Sequence, residues 1–279
     1  MINCGKGRSM LLRYPGGKAR IYGSVRNIII SNGLTNKTYV EPFSGGFGLG
    51  LKLMLNGDIK KFIINDYDRH IYSFWKSVFS HTKKLIKKIN ETEITIEQWH
   101  IQKDIYNKPK GHSVLDIGFS TLFLNRTNFS GILMSGPIGG YEQRGKYKMD
   151  CRFNKERIIE LIRKIAAHKK NVKVYRKDAA RLIQMLRVRE QEIFYNFDPP
   201  YVNKGEELYL NAFEEQDHRD LQNEIDNVQT EWIMTYDNVE LIKGLYRNYK
   251  QIEFSLSYTV SSKRIEKELL ISNLEKIAI

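Results

Sequence analysis

The sequence predicts an α/β protein: one open sheet of about seven strands, interrupted by a basic and mainly helical insertion. Three observations carry that prediction. Short β-rich runs alternate with helical stretches in the first and last parts of the chain, the pattern of a parallel sheet flanked by helices. About a hundred residues, Arg69 to Lys170, separate the second such run from the third and read mostly in helical period. With 279 residues, 41% hydrophobic and 28% charged, the chain can bury one large core and is too rich in apolar and aromatic residues for extended disorder.

The candidate strands, in order, are Thr38 to Glu41, Lys60 to Asn65, Val172 to Tyr175, Glu192 to Phe197, Trp232 to Tyr236, Gln251 to Ser257 and Leu269 to Ser272. Each is a short β-branched or aromatic run. Within the insertion, Arg69 to Ile89, Ile96 to Asn107, Val114 to Leu124 and Asn154 to His168 read as helices. Its centre differs: Asn128 to Lys148 is rich in Gly, Ser, Pro and Tyr and reads as a long loop or a β-hairpin. The division expected is therefore 1–68 with 171–279 as the sheet domain, and 69–170 as the insertion. No apolar run approaches the roughly 18 residues that span a bilayer. Lys6, Arg8, Arg13, Lys18 and Arg20 surround only a short apolar stretch, so no export signal is expected. Two cysteines, Cys4 and Cys151, point to a reducing cytosol rather than a disulfide framework.

The formal charge is +13 and is unevenly placed. Residues 69–170 hold 20 Lys and Arg against 9 Asp and Glu, residues 1–68 hold 10 against 4, and residues 171–279 hold 15 against 19. A positive field concentrated on the insertion attracts phosphate polyanions and releases their counterions, which makes nucleic acid the natural partner. A solvated basic face is the competing reading, and Lys83-Lys84 with Lys87-Lys88 fit it. The six histidines are scattered, none at ligand spacing with Cys or a second His, so no metal site is expected.

Three motifs carry chemistry. Tyr39 to Gly50 (YVEPFSGGFGLG) runs from a strand through a glycine-rich turn into an apolar helix. Such a turn lets backbone pass close to a ligand, and the helix aims its first amides at it. A phosphate-cradling loop would end in Gly-Lys-Ser/Thr, whereas Gly50 is followed by Leu51 and Lys52. A dinucleotide fingerprint fails because the third glycine falls one residue early. Ser44 lacks the flanking pattern of a nucleophile elbow. Second, Asp66 ends the next strand, 20 residues after Gly46, where an acid accepts hydrogen bonds from ribose hydroxyls. That pairing suggests an adenosine-containing ligand. Asp68 is the alternative, and either acid can instead cap the helix starting near Arg69. Third, Glu192 to Tyr201 (EIFYNFDPPY) delivers an acid, two prolines and an aromatic at a strand's carboxyl end. Adjacent prolines remove two N–H donors and leave an acceptor-only edge. The Asp198 carboxylate and Pro199 carbonyl suit the two protons of a planar exocyclic amine, with Tyr201 stacked on its ring.

Arg13 to Lys18 (RYPGGK), Glu41 to Gly48 (EPFSGGFG), Phe123 to Gly131 (FLNRTNFSG), Asp198 to Tyr201 (DPPY) and Ser257 to Val260 with Lys263-Arg264 together resemble the Dam-type DNA adenine-N6 methyltransferases. Their order, cofactor motifs first, recognition insertion next and tetrad last, matches the alpha group of that family. The resemblance implies a Rossmann-like methyltransferase sheet, S-adenosyl-L-methionine as methyl donor with S-adenosyl-L-homocysteine as product, and no metal. It implies that Tyr14 and Lys18 contact the cofactor, and that Phe43, Gly45, Gly46 and Gly48 lie under its methionine moiety. Asp66 would hold the ribose and Asp178 would border the cofactor's adenine. Asp198, Pro199, Pro200 and Tyr201 form the implied catalytic tetrad, with Asp198 also beside the cofactor. Arg126, Asn128, Phe129, Arg144, Lys146, Lys148, Lys263 and Arg264 are the implied DNA contacts. Among them Phe129 would intercalate, and Arg126 or Arg144 would read base edges. Thr127, Asn128 and Ser130 depart from the Tyr-Gly-Tyr-Asn run of the best-known members, so no recognition sequence is carried over.

The expected function is methyl transfer to N6 of an adenine flipped out of duplex DNA. The expected setting is cytoplasmic and nucleoid-associated, for a monomer or weak dimer that does not enter a membrane, with a cognate restriction endonuclease as a further partner. Two alternatives stand beside it: the same fold acting on RNA or on a protein amide nitrogen, and a catalytically silent DNA-binding module. The intact Asp198–Tyr201 tetrad argues against the last.

Overall fold

The structure is a computed structural model and describes residues 10–13, 18–202, 213–259 and 263–277. Its centre is a seven-stranded sheet of order β3-β2-β1-β4-β5-β7-β6. The strands are β1 (Thr38–Glu41), β2 (Lys61–Asn65), β3 (Val172–Tyr175), β4 (Ile193–Phe197), β5 (Trp232–Asp237), β6 (Lys250–Thr259) and β7 (Lys263–Ser272). The first five are parallel; β7 runs antiparallel to both β5 and β6. This is a Rossmann-like topology, and strand order reverses between β1 and β4, where open α/β sheets bind ligands at the carboxyl ends.

Residues alternate between the two faces, as the twofold strand period requires. Tyr39, Phe62, Ile64, Phe194 and Ile233 join one hydrophobic core, while Val40, Ile63, Tyr195, Phe197 and Met234 join another. Helices cover both cores, so the strands read as nearly continuous apolar runs. The second core is closed by α8 (Ala179–Leu186), α9 (Glu215–Asp226) and α10 (Glu240–Leu245) through Ile183, Leu221, Ile225 and Ile242.

The first core holds α1 (Tyr22–Ser31), α2 (Gly48–Leu55) and the whole insertion: α3 (Arg69–Ser80), α4 (Thr82–Glu91), α5 (Ile96–Asn107), α6 (Val114–Thr127) and α7 (Lys155–Ala166). Trp75, Leu85, Trp99, Phe119 and Ile162 belong to the same buried cluster as Tyr39 and Phe62. The insertion thus shares a core with one sheet face instead of building its own.

Three expectations change. The predicted helix Arg69 to Ile89 breaks at His81 (φ −124°, ψ 27°), which lets α4 turn its own stripe, Leu85 and Ile89, onto the core. The β6–β7 ribbon pairs ten residues per strand, longer than expected, because charged residues such as Glu266 and Lys267 mask the apolar signal of its outer half. The stretch Asn128 to Lys148 is a loop and not a hairpin of two strands. A single bridge joins Asn128 to Pro137, and glycines with positive φ at 131, 139 and 140 prevent a ladder from continuing.

Candidate active site

The carboxyl edge of β1, β2 and β4 is built by the glycine-rich turn and braced by Asn65. The Asn65 side chain donates to the carbonyls of Pro42 (2.8 Å) and Lys177 (2.9 Å) and accepts from the Lys177 amide (3.0 Å). Its carbonyl accepts from the Ser44 amide at 2.9 Å. Loops that follow three different strands are thereby locked together. Inside the turn, Gly45 (φ 43°) and Phe47 (φ 47°) are left-handed, and Phe47 caps α2. Strain at a non-glycine residue persists only when its surroundings over-determine it. Here the Phe47 ring is packed among Tyr39, Phe62 and Trp75. The Trp75 indole N–H donates to the Gly45 carbonyl at 2.9 Å, which ties the turn to the insertion. At Gly48 a Cβ would lie 2.9 Å from the Met10 sulfur, so the N-terminal segment passes directly over α2.

Asp66 and Asp68 separate into the two roles the sequence left open. Asp68 caps α3 by accepting from the His70 amide at 2.7 Å. Asp66 accepts from the Gly45 amide (2.8 Å) and the Asp68 amide (2.9 Å). Burial first, then the charge of Asp68, pushes its carboxyl up to about 7. Asp178 caps α8 through the amides of Ala180 and Arg181, and is exposed next to Lys177, which Asn65 holds. Phe43 is half-buried, with its ring edge on Phe213 at 5.9 Å.

On the other side of β1, Asp198 follows β4. Its Oδ1 accepts from the Thr235 hydroxyl (2.9 Å) and from the Lys18 ammonium (2.9 Å). Burial raises its carboxyl above the usual range, and Lys18 works against that rise. Pro199 and Pro200 are buried. Tyr201 is buried, donates its hydroxyl to Glu268 Oε2 at 2.8 Å and lies 5.9 Å from the Tyr236 ring. Deeper in the sheet, Glu41 accepts from the Tyr39 hydroxyl at 2.7 Å, and burial pushes it to about 8, so it is mainly protonated at neutral pH. An acid at the end of β2 and an acid-Pro-Pro-Tyr edge at the end of β4 therefore flank the β1 glycine turn on one edge of the sheet.

The model of the D12 class N6 adenine-specific DNA methyltransferases matches residues 14–260. The chain belongs to that family. A type II methyltransferase of Methanocaldococcus jannaschii, M.MjaIII, is 24% identical over 224 residues, which are 75% of this chain and 74% of that protein. Two solved structures resemble the fold loosely. A candidate RNA methyltransferase of Pyrococcus horikoshii (PH1948) gives a TM-score of 0.44 at 8% identity, covering 96% of this chain and 89% of its own. The rRNA methyltransferase aviRa of Streptomyces viridochromogenes gives 0.39 at 11%, covering 93% and 86%. Superpositions this loose bear on neither substrate nor mechanism. The family makes the enzyme an adenine-specific DNA methyltransferase, so DNA takes precedence over the RNA and protein-amide alternatives.

The methyltransferase's expected DNA contacts divide sharply. Phe129 is 61% exposed at the bend of the loop and Arg144 is 85% exposed beside Glu142. Lys146 is exposed near the Tyr147 ring, and the exposed Lys148 donates to the Gln143 carbonyl. Two expectations are corrected. Arg126 points inward: its guanidinium donates to the carbonyls of Leu11 (2.8 Å) and Met10 (2.6 Å). Asn128 is 0% exposed, accepting from the Trp99 indole and donating to the carbonyls of Ile132 and Leu133. Arg126 thus holds the N-terminal segment in place, and Asn128 holds the loop. Asn125 holds both, exchanging hydrogen bonds with the Arg13 backbone and donating to the Gly131 carbonyl. Lys18, expected at the cofactor, pairs with the carboxylate of Asp198, which is expected there too. Tyr14 lies outside the described residues, as do the side chains of Lys263 and Arg264.

Sequence reading missed Asn65, Trp75, Thr235 and Glu268. Glu268 alone left a signal, a charge immediately before the apolar run Leu269 to Ile271.

Proposed function

We propose that the glycine turn, Phe43 and Asp66 hold S-adenosyl-L-methionine, and that Asp198 to Tyr201 receive an adenine extruded from the duplex beside it. The residues fit that cofactor. Asp66 offers a half-buried acceptor for ribose hydroxyls, Gly45 and Gly46 put no side chain between a ligand and their backbone, and Phe43 provides a half-buried apolar ring. Asp178, beside the β3 end, borders the cofactor's adenine in this reading. The bound cofactor supplies a methyl group activated on a sulfonium sulfur.

The protein supplies position. Adenine N6 is a poor nucleophile because its lone pair is delocalised into the ring. Accepting its two protons at the Asp198 carboxylate and the Pro199 carbonyl favours a more pyramidal nitrogen, while Tyr201 holds the ring plane. Extrusion is required because N6 within a duplex is out of reach. Residues 69–170, with Phe129 as the exposed wedge and Arg144, Lys146 and Lys148 as exposed cations of the same loop, form the recognition face. In this reading Lys263 and Arg264 add phosphate contacts, the enzyme acts as a monomer or weak dimer on nucleoid DNA in the cytoplasm, and a restriction endonuclease shares its site. Among the described residues no helix is long and apolar enough to cross a membrane.

The observation that carries this reading is the placement of Asp66 and Asp198 on one edge of the sheet, on the strands either side of β1. Asp198→Ala should abolish tritium transfer from labelled donor to DNA while DNA binding persists; transfer at the wild-type rate would remove Asp198 from the chemistry. Fluorescence of 2-aminopurine at the mapped target adenine should rise on binding, and an unchanged signal counts against extrusion.

A further inference from the structure

One buried carboxylate at this edge has no part in the chemistry above. Glu268 is 1% exposed on β7, opposite Asp237 of β5 and Phe254 of β6. Because β7 runs against the other strands, its middle reaches the edge where β4 and β5 end. There Glu268 Oε2 accepts the Tyr201 hydroxyl at 2.8 Å and lies 3.6 Å from Lys18 Nζ. The same ammonium is 2.9 Å from Asp198 Oδ1 and 4.8 Å from the Tyr201 ring centroid. One cation therefore bridges two carboxylates, and the tyrosine between them is held at its hydroxyl and on its face.

We propose that Glu268 is a positioning residue for the N6 transfer, acting through the Tyr201 hydroxyl and the Lys18 ammonium to fix the ring plane and the direction of the Asp198 carboxylate. The proposal rests on the roles given to Asp198 and Tyr201 above. Burying a carboxylate is costly unless it is paired, and packing alone would be served by another apolar residue such as its neighbours Leu269, Leu270 and Ile271. Glu268 also shares the Lys18 charge, as an ion pair at 3.6 Å. Without it the ammonium bears more on Asp198 and competes with the N6 protons for the same lone pairs. A ring or carboxylate displaced by about 1 Å slows a positioned reaction on the order of a hundredfold.

The test uses the full-length enzyme, tritiated S-adenosyl-L-methionine and genomic DNA free of methylated adenine. Glu268→Leu and Tyr201→Phe should each slow single-turnover transfer on the order of 10- to 100-fold, with KM for DNA and donor changed by less than about threefold. The double variant should be no slower than the slower single one, because the Tyr201 hydroxyl acts through an acceptor that leucine has already removed. A merely structural glutamate would lower the thermal midpoint and leave the rate per folded enzyme unchanged. Glu268→Leu within about twofold of the wild-type rate, or losses that multiply in the double variant, overturns the proposal. If Glu268→Leu does not fold, Tyr201→Phe decides: a tenfold loss at constant KM upholds the contact, and an unchanged rate overturns it. Asp198→Ala run alongside separates the two claims. If it still transfers, the tetrad reading fails; if it is inactive while Glu268→Leu is fully active, only the role of Glu268 fails.

Discussion

Gly50→Ala adds one methyl group to the first turn of α2 and tests the packing under the glycine turn. A Cβ there would lie 2.2 Å from both Cε2 and Cζ of Phe47 and 2.8 Å from Cδ2. Carbon atoms pack best at roughly 3.5–4.0 Å, so the overlap exceeds about 1 Å. The ring has nowhere to retreat: Phe47 is 1% exposed, with ring centroids of Tyr39, Phe62 and Trp75 at 6.5, 6.1 and 5.7 Å. Overpacking of this kind costs about 1–3 kcal/mol, and the better helix propensity of alanine offsets up to ~1 kcal/mol. A net loss of about 1–2 kcal/mol corresponds to a fall of roughly 2–8 °C in thermal midpoint for a chain of this size. Because Phe47 caps α2 and adjoins Gly45 to Gly48, a displaced ring also deforms the turn, and calorimetric titration should show weaker donor binding. Gly23→Ala in α1 is the control: nothing lies within 4 Å of its Cβ, so the midpoint should hold or rise. A Gly50→Ala protein with unchanged midpoint and donor affinity would refute the packing described for Phe47.

Glu41 keeps, at about 8, a proton that the unfolded chain releases near 4.5. Its burial therefore destabilises the fold progressively as pH rises from about 4.5 to about 8, by at most on the order of 5 kcal/mol. Glu41→Gln retains an acceptor for the Tyr39 hydroxyl and should gain midpoint over the wild type at pH 8 compared with pH 5; parallel pH profiles would show that Glu41 does not titrate in this way. Arg126→Ala should lower the midpoint by freeing the carbonyls of Met10 and Leu11, yet leave the methylated sequence unchanged when sites are mapped; a relaxed site would restore Arg126 to base reading. Phe129→Ala should weaken DNA binding and base extrusion with the midpoint unmoved, and a markedly lower midpoint would show that the ring serves packing.

The positions of the strands and of the Asp198–Tyr201 edge were legible because buried parallel strands are short apolar runs and their chemistry sits just past each carboxyl end. The loop residues were less so. Arg126 and Asn128 lie on a motif that reads as a DNA-contacting loop, but Arg126 faces the 10–13 segment, more than a hundred positions earlier, and Asn128 faces Trp99 of the insertion, about thirty positions earlier. The helix break at His81 was hidden for a similar reason, since both halves are amphipathic and only the shared core requires their stripes to turn.

By itself the sequence determined the α/β class, the order of its strands along the chain, the glycine turn, the acid ending β2 and the acceptor-only edge ending β4, because each is written in consecutive residues. Only the tertiary structure decided that Lys18 pairs with Asp198, that Trp75 of the insertion holds the Gly45 carbonyl, and that Glu268 meets Tyr201. Those contacts join segments tens to hundreds of residues apart, and the last exists because an antiparallel β7 lies between β5 and β6, a pairing that local periodicity does not encode.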